Sequence, residues 1–327
     1  MDNLPDVAPL TMNKTGLTQK ALAGEVAVVT GGTSNIGLAT TRCLAWLGAK
    51  VVLAARNSEK GTAAAALIDK ENEPGTALFV STDVSDEASM KEMAKKAFDK
   101  FGKVDILVNN AMDMSLAAPI LKSTVLQLDR QYEVAVRGAL IGIQQFVPGM
   151  QARHHGVVTY IATLFRYPFG PSNYCAVKAA AESMMLSLAA ELGPVKGSGV
   201  AVFTFIPGMV HRPRSGGGNQ PRSFIAPPAM PGYDGVYPPE DCGAALAYSI
   251  VRAADIHGSG IIIGQAFKQM NWPFPKPETA PTKDYDRIND YVLIRMFGYA
   301  GPGFPEPHLP LVTINRSESP ANERLAK

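Results

Sequence analysis

Hydrophobic positions along this chain alternate between two patterns. Short, nearly continuous apolar runs at 25–30, 50–55, 76–80, 104–109, 156–161 and 199–206 read as buried strands. Between them the apolar residues recur at helical spacing. This pattern predicts helices over 38–47, ending at Gly48, over an Ala-rich 58–72, over a long 126–153 and over 239–253. Ser85 is expected to cap a further helix, with Asp86 and Glu87 in its first turn and Met90, Met93, Ala94, Ala97, Phe98 and Phe101 on its inner face. A helix over 173–192 carries Val177, Ala181, Met184, Met185, Leu188 and Leu192 at helical intervals and stops at Gly193-Pro194. A seventh strand is expected at 260–264. Strands that alternate with helices and are apolar throughout imply an α/β fold, a parallel sheet with helices on both faces.

The 327 residues suffice for one large α/β domain with extensions. The division read here is an arm over 1–21, expected to be loosely ordered, a domain over 22–270 and an extension over 271–327. Within the domain, 209–239 is dense in Pro, Gly and Arg, and reads either as a lid with cations for an acidic or polyphenolic substrate or as a surface insertion. The extension holds Trp272-Pro273-Phe274-Pro275 and a short helical pattern over 285–297. Its aromatics imply packing on its own subunit or on a neighbour.

A net charge of +2 gives no argument for a nucleic-acid partner. Three scattered cysteines (Cys43, Cys175, Cys242) lack metal spacing and read as reduced thiols. No apolar run approaches the ~20 residues of a membrane span, and residues 1–20 resemble neither a secretory nor a mitochondrial leader. The expectation is a cytoplasmic protein acting on a small molecule.

Candidate chemistry falls where the strands end, which is where such sheets bind ligands. After the first strand, Thr30-Gly31-Gly32-Thr33-Ser34-Asn35-Ile36-Gly37 leads straight into a helix, so backbone N–H groups could approach a pyrophosphate. After the second comes Arg56, a cation suited to a ribose 2′-phosphate and hence to NADP(H) more than NAD(H). After the third, Asp83-Val84 could accept from an adenine amino group or open the next helix. Tyr174 and Lys178 are four residues apart and share a helix face, so an ammonium there would favour the phenolate and tune a phenol for proton transfer.

In order and spacing, Thr30–Gly37, Asp83-Val84, Asn109-Asn110-Ala111, Tyr174 with Lys178 and Pro207-Gly208 resemble the short-chain dehydrogenase/reductase superfamily over roughly 22–267. The resemblance implies a single Rossmann-type, doubly wound parallel sheet of seven strands and a bound nicotinamide dinucleotide. It also implies cofactor contacts at Gly31, Thr33, Ser34, Asn35, Ile36, Gly37, Arg56, Asp83, Val84, Asn110, Ala111, Pro207, Gly208 and Val210, and assembly as a homodimer or homotetramer. In the implied relay Tyr174 is the acid/base, Lys178 bonds the nicotinamide ribose and lowers the Tyr174 pKa, and Thr163 orients the substrate oxygen.

Departures cluster at the nicotinamide end. Asn35 replaces the middle glycine, and Asn tolerates positive φ better than other non-glycine residues. Met112 replaces the glycine closing Asn-Asn-Ala-Gly, with Asp113 next to it. Ala135 replaces an asparagine of the relay, Ala162-Thr163 replaces a serine pair, and Arg212 replaces the threonine after Pro-Gly. Met112, Asp113, Phe165 and Arg212 are therefore the candidate substrate pocket. The leading expectation is an NADPH-dependent oxidoreductase. The alternatives are a lyase, isomerase or cyclase on the same fold, and a catalytically silent dinucleotide-binding protein.

Overall fold

The structure, a computed structural model, describes residues 7–163, 171–210 and 236–272. The expected lid residues 211–235, the candidate pocket residues Phe165 and Arg212, and the helix expected over 285–297 lie outside the described residues. In chain order come β1 (Val26–Thr30), α1 (Asn35–Trp46), β2 (Lys50–Ala55), α2 (Ser58–Glu71), β3 (Ala77–Ser81), α3 (Glu87–Phe101), β4 (Ile106–Asn109) and α4 (Val125–Tyr132). A π-helical turn, Glu133–Arg137, leads into α5 (Gly138–Ala152). Then follow β5 (Gly156–Ile161), α6 (Ser172–Leu192), the one-turn α7 (Val195–Ser198), β6 (Val200–Ile206), β7 (Met209–Val210), β8 (Val236–Tyr237), α8 (Pro239–Val251), β9 (Ser259–Ile262) and α9 (Ile263–Gln269).

Seven strands form one parallel sheet in the order β3-β2-β1-β4-β5-β6-β9. The central strands were legible because they are buried on both faces: all residues of β1, β4 and β6 are buried. One face packs Met90, Met93, Phe146, Met150 and Met185 from α3, α5 and α6. The other packs Leu44, Leu246, Phe267 and their neighbours from α1, α8 and α9. Chain order reverses between β1 and β4, which opens a crevice at their carboxyl ends.

Four local expectations are corrected. Asp86 rather than Ser85 caps α3, its side chain accepting from Ala88 N, because Ser85 is held by Asp83. The long helix over 126–153 is interrupted by the π turn. Beyond that turn, a Cβ on Gly138 would lie 3.0 Å from Val84 O, so glycine lets α5 approach the loop after β3. The seventh strand ends at Ile262, whose N–H is taken by the Gln265 side chain as α9 begins. Residues 7–21 are not loose. Met12 is fully buried, Arg42 Nη1 donates to Ala8 O at 3.0 Å, and Ala8 N donates to Glu240 Oε1 at 3.2 Å. Trp272, at the start of the expected extension, is buried against Phe267 with ring centroids 4.8 Å apart.

Candidate active site

The loop after β1 is built for close approach. A Cβ on Gly37 would sit 2.1 Å from Gly31 O, and one on Gly31 would sit 2.9 Å from Asn110 Nδ2. Only glycine fits at either place. Asn35 takes the middle-glycine position at φ 46°, the left-handed conformation that Asn tolerates best after Gly. No side chain caps α1 at Ser34, so the amides of its first turn face the crevice at the positive end of the helix dipole. Such a cradle fits a pyrophosphate, and a nicotinamide dinucleotide could be held here.

The end of β4 is clasped to this loop. Thr30 Oγ1 accepts from Asn110 N at 3.0 Å and Ala111 N at 3.1 Å, and Asn110 Nδ2 donates to Thr30 O at 2.9 Å. The Asn-Asn-Ala motif therefore shapes the crevice through its backbone and one amide. Arg56, two-thirds exposed at the end of β2, reaches across to Asp113 beyond β4, with Nη2 3.5 Å from Oδ2. Asp113 thus faces the β2 side of the crevice. Its other oxygen accepts from Ser115 Oγ and N, and these bonds together with Arg56 hold the Asp113 carboxyl below its usual range against the opposing effect of burial. Burial would raise Asp83, but two hydrogen bonds from Ser85, with Arg56 and Arg130 nearby, hold it low as well. Arg56 therefore lies within the field of two carboxylates.

On the far side of the crevice, α6 presents Tyr174 half-buried and Lys178 fully buried one turn later. Lys178 Nζ donates to Ile161 O, the last residue of β5, at 2.5 Å. That bond ties the helix to the strand end that continues into Ala162 and the half-buried Thr163. Nζ stands 5.8 Å from the centre of the Tyr174 ring and 4.5 Å from that of Tyr160. Burial lowers the Lys178 pKa to about 7, with Glu182 acting in the opposite direction. Ala135 is buried within the π turn, which packs against α6. Val84, Pro207 and Gly208 lie at the carboxyl ends of β3 and β6, with Val210 just beyond, and Gly208 takes φ 74°.

Sequence reasoning passed over Asn173. It is fully buried, and its Oδ1 accepts from Ala118 N and Tyr174 N, both at 2.8 Å. Its Nδ2 donates to Leu116 O at 2.9 Å and Ser123 Oγ at 3.0 Å. One amide thus joins the loop after β4 to the first turn of α6, beside Tyr174. The only signal in the sequence was an amide at the start of a helix, the kind of residue that satisfies orphan N–H groups.

Residues 25–220 match the family described as short chain dehydrogenase. An uncharacterized oxidoreductase of Staphylococcus aureus (strain MW2) is 30% identical over 244 residues, covering 74% of this chain and 97% of that protein. Among solved structures, L-sorbose reductase from Gluconobacter frateurii, complexed with NADPH and L-sorbose, superposes with a TM-score of 0.65 at 25% identity over 74% of this chain and 96% of that one. A 3-ketoacyl-(acyl-carrier-protein) reductase from Brucella melitensis, complexed with NADH, gives a TM-score of 0.63 at 27% identity over 73% and 96%. With a parallel sheet ordered 3-2-1-4-5-6-9 and a glycine cradle at its switch point, this chain belongs to the short-chain dehydrogenase family.

Proposed function

We propose that this protein is an NADPH-dependent oxidoreductase that interconverts a carbonyl and an alcohol on a small molecule, with Tyr174 as acid/base. A bound nicotinamide dinucleotide would supply or accept the hydride. In the reducing direction Tyr174 gives its phenolic proton to the substrate oxygen as the carbonyl carbon is reduced, and in the oxidising direction it takes that proton back. Thr163, at the end of β5, orients the same oxygen. Lys178 would bond the nicotinamide ribose and, as an ammonium, favours the phenolate of Tyr174. Gly31 to Gly37 would receive the pyrophosphate, Asp83, Val84, Asn110 and Ala111 would hold the adenosine, and Pro207, Gly208 and Val210 would hold the nicotinamide. Met112 borders the substrate.

The observation that carries this reading is the burial of Lys178 directly behind Tyr174, with its ammonium bonded to the strand end that leads to Thr163. A solvated helix-start lysine would have no such anchor. Preference for NADPH rests on Arg56, whose guanidinium suits a 2′-phosphate; related structures carry NADPH in one case and NADH in another. The reading includes a cytoplasmic homo-oligomer. Leu121 at 97% exposure, with Ile120, Val125 and Leu126 also exposed, provides apolar surface for self-association.

The experiment is Tyr174→Phe. Turnover of carbonyl substrates should fall by at least ~100-fold, the usual worth of a general acid, with NADPH affinity close to wild type. Most of the activity surviving in Tyr174→Phe would remove the phenol from the mechanism.

A further inference from the structure

A transverse row of side chains crosses the sheet beneath α6. Register pairs Asn109 with Tyr160, Tyr160 with Thr204 and Thr204 with Gly260, and partners in register point to the same face. Lys178 and Glu182, one helical turn apart, come down onto this row. The Lys178 ammonium stands over the ring face of Tyr160 at 4.5 Å. Glu182 is buried and its Oε1 accepts from Thr204 Oγ1 at 3.0 Å. Gly260 makes room for it, since a Cβ there would lie 3.3 Å from that same oxygen.

We infer that Tyr160 and Glu182 are positioning residues for Lys178, the ring face of one and the carboxylate of the other keeping its buried ammonium charged. An ammonium removed from water needs compensation, and the methyl group of Ala135 in the facing π turn provides none. A ring quadrupole acts most strongly on a desolvated cation, and a carboxylate one turn away adds a favourable charge. The other groups around Lys178 cannot do this. Ile161 O is a neutral acceptor, while Asn109 and Thr204 are uncharged. Tyr174 is the phenol the ammonium serves. On the π turn, Glu133 is paired with Arg130 and Arg137 at the surface. Tyr160 contributes its ring only, because burial pushes its phenol well above its ordinary pKa and keeps it neutral. Burial already lowers the Lys178 pKa to about 7, so modest losses of support discharge it at neutral pH.

Lysine is charged below its pKa, so removing either support should move the loss of charge to lower pH. The test is an NMR titration of the ligand-free protein with 13Cε-labelled lysine, Lys178 being assigned with Lys178→Arg. The pH dependence of NADPH binding is followed by calorimetry alongside it. Glu182→Gln should lower both midpoints by about one pH unit and Tyr160→Leu by roughly half to one. Tyr160→Phe, which keeps the ring, should leave the Lys178 midpoint at its wild-type value, and Glu182→Asp, which keeps the charge, should recover part of the midpoint lost in Glu182→Gln.

Wild-type midpoints in Glu182→Gln overturn the role of Glu182. A shift in Tyr160→Phe as large as in Tyr160→Leu assigns the effect to the hydroxyl and overturns the ring-face argument. Should Tyr160→Leu fail to fold, Tyr160→Val and the conservative Tyr160→Phe decide the same question. The inference rests on Lys178 being the site lysine. NADPH binding unchanged in Lys178→Ala would overturn that reading, whereas unshifted Lys178 titration in the two variants overturns this inference alone.

Discussion

Asn173 offers a stringent check, because one amide holds two segments far apart in sequence. Asn173→Ala removes two accepted and two donated hydrogen bonds. Net values near 1 kcal/mol per bond would sum to ~4 kcal/mol, with more for any donor left buried and unpaired. On the loop side, Leu116 and Ser123 are half-buried, so water can replace part of what is lost. The estimate is therefore ~2–4 kcal/mol of stability, or a fall in Tm of roughly 4–16 °C for a domain of this size. Thermal unfolding by circular dichroism measures it. Below the melting range, turnover should fall more than NADPH affinity, since the loop and the head of α6 carry or adjoin Met112 and Tyr174, the residues proposed to meet the substrate. Asn173→Asp keeps the shape but faces Leu116 O with a carboxylate, so it should not rescue stability. A Tm within one degree of wild type in Asn173→Ala would refute the clasp.

Arg56→Asp should reverse the cofactor preference, with wild type favouring NADPH over NADH about tenfold or more in a binding titration, the scale of a charge-assisted contact. Asp113→Asn frees Arg56 from its partner and removes a charge that would repel a 2′-phosphate. It should tighten NADPH severalfold and leave NADH little changed, and weaker NADPH binding would contradict this. Gly37→Ala, whose Cβ would meet a backbone oxygen at 2.1 Å, should abolish binding of both dinucleotides in a fluorescence titration, and retained affinity would show that the cradle is elsewhere.

Strands β1, β4 and β6 were legible because burial on both faces leaves mostly apolar residues to read, each run carrying a single polar residue, Thr30, Asn109 or Thr204. The glycine loop was legible because close backbone approach restricts residue type. What escaped the sequence depends on neighbours set by strand order. Arg56 and Asp113 are 57 residues apart and meet only because β2 and β4 flank β1. Asn173 finds partners 50 and more residues earlier, on a loop with no periodicity of its own. At the start of α3, Ser85 and Asp86 are both good caps, and the choice falls to Asp86 because Asp83 occupies Ser85. The π turn hides inside a helical pattern, since one added residue barely disturbs the apolar spacing. Glu182 likewise reads as an ordinary polar helix position until β6 and β9 supply Thr204 and Gly260 beneath it.

The central claim is hydride transfer assisted by Tyr174, and isotopic labelling tests it most directly. Carbonyl substrates are offered with NADPH deuterated at C4, and product is analysed by mass spectrometry alongside NADPH absorbance. The account predicts one NADPH consumed per product and deuterium on the new carbinol carbon. Label transfer should be lost together with turnover in Tyr174→Phe. Product that forms without label, while NADPH absorbance stays constant, would contradict it and place the protein with the lyases or isomerases.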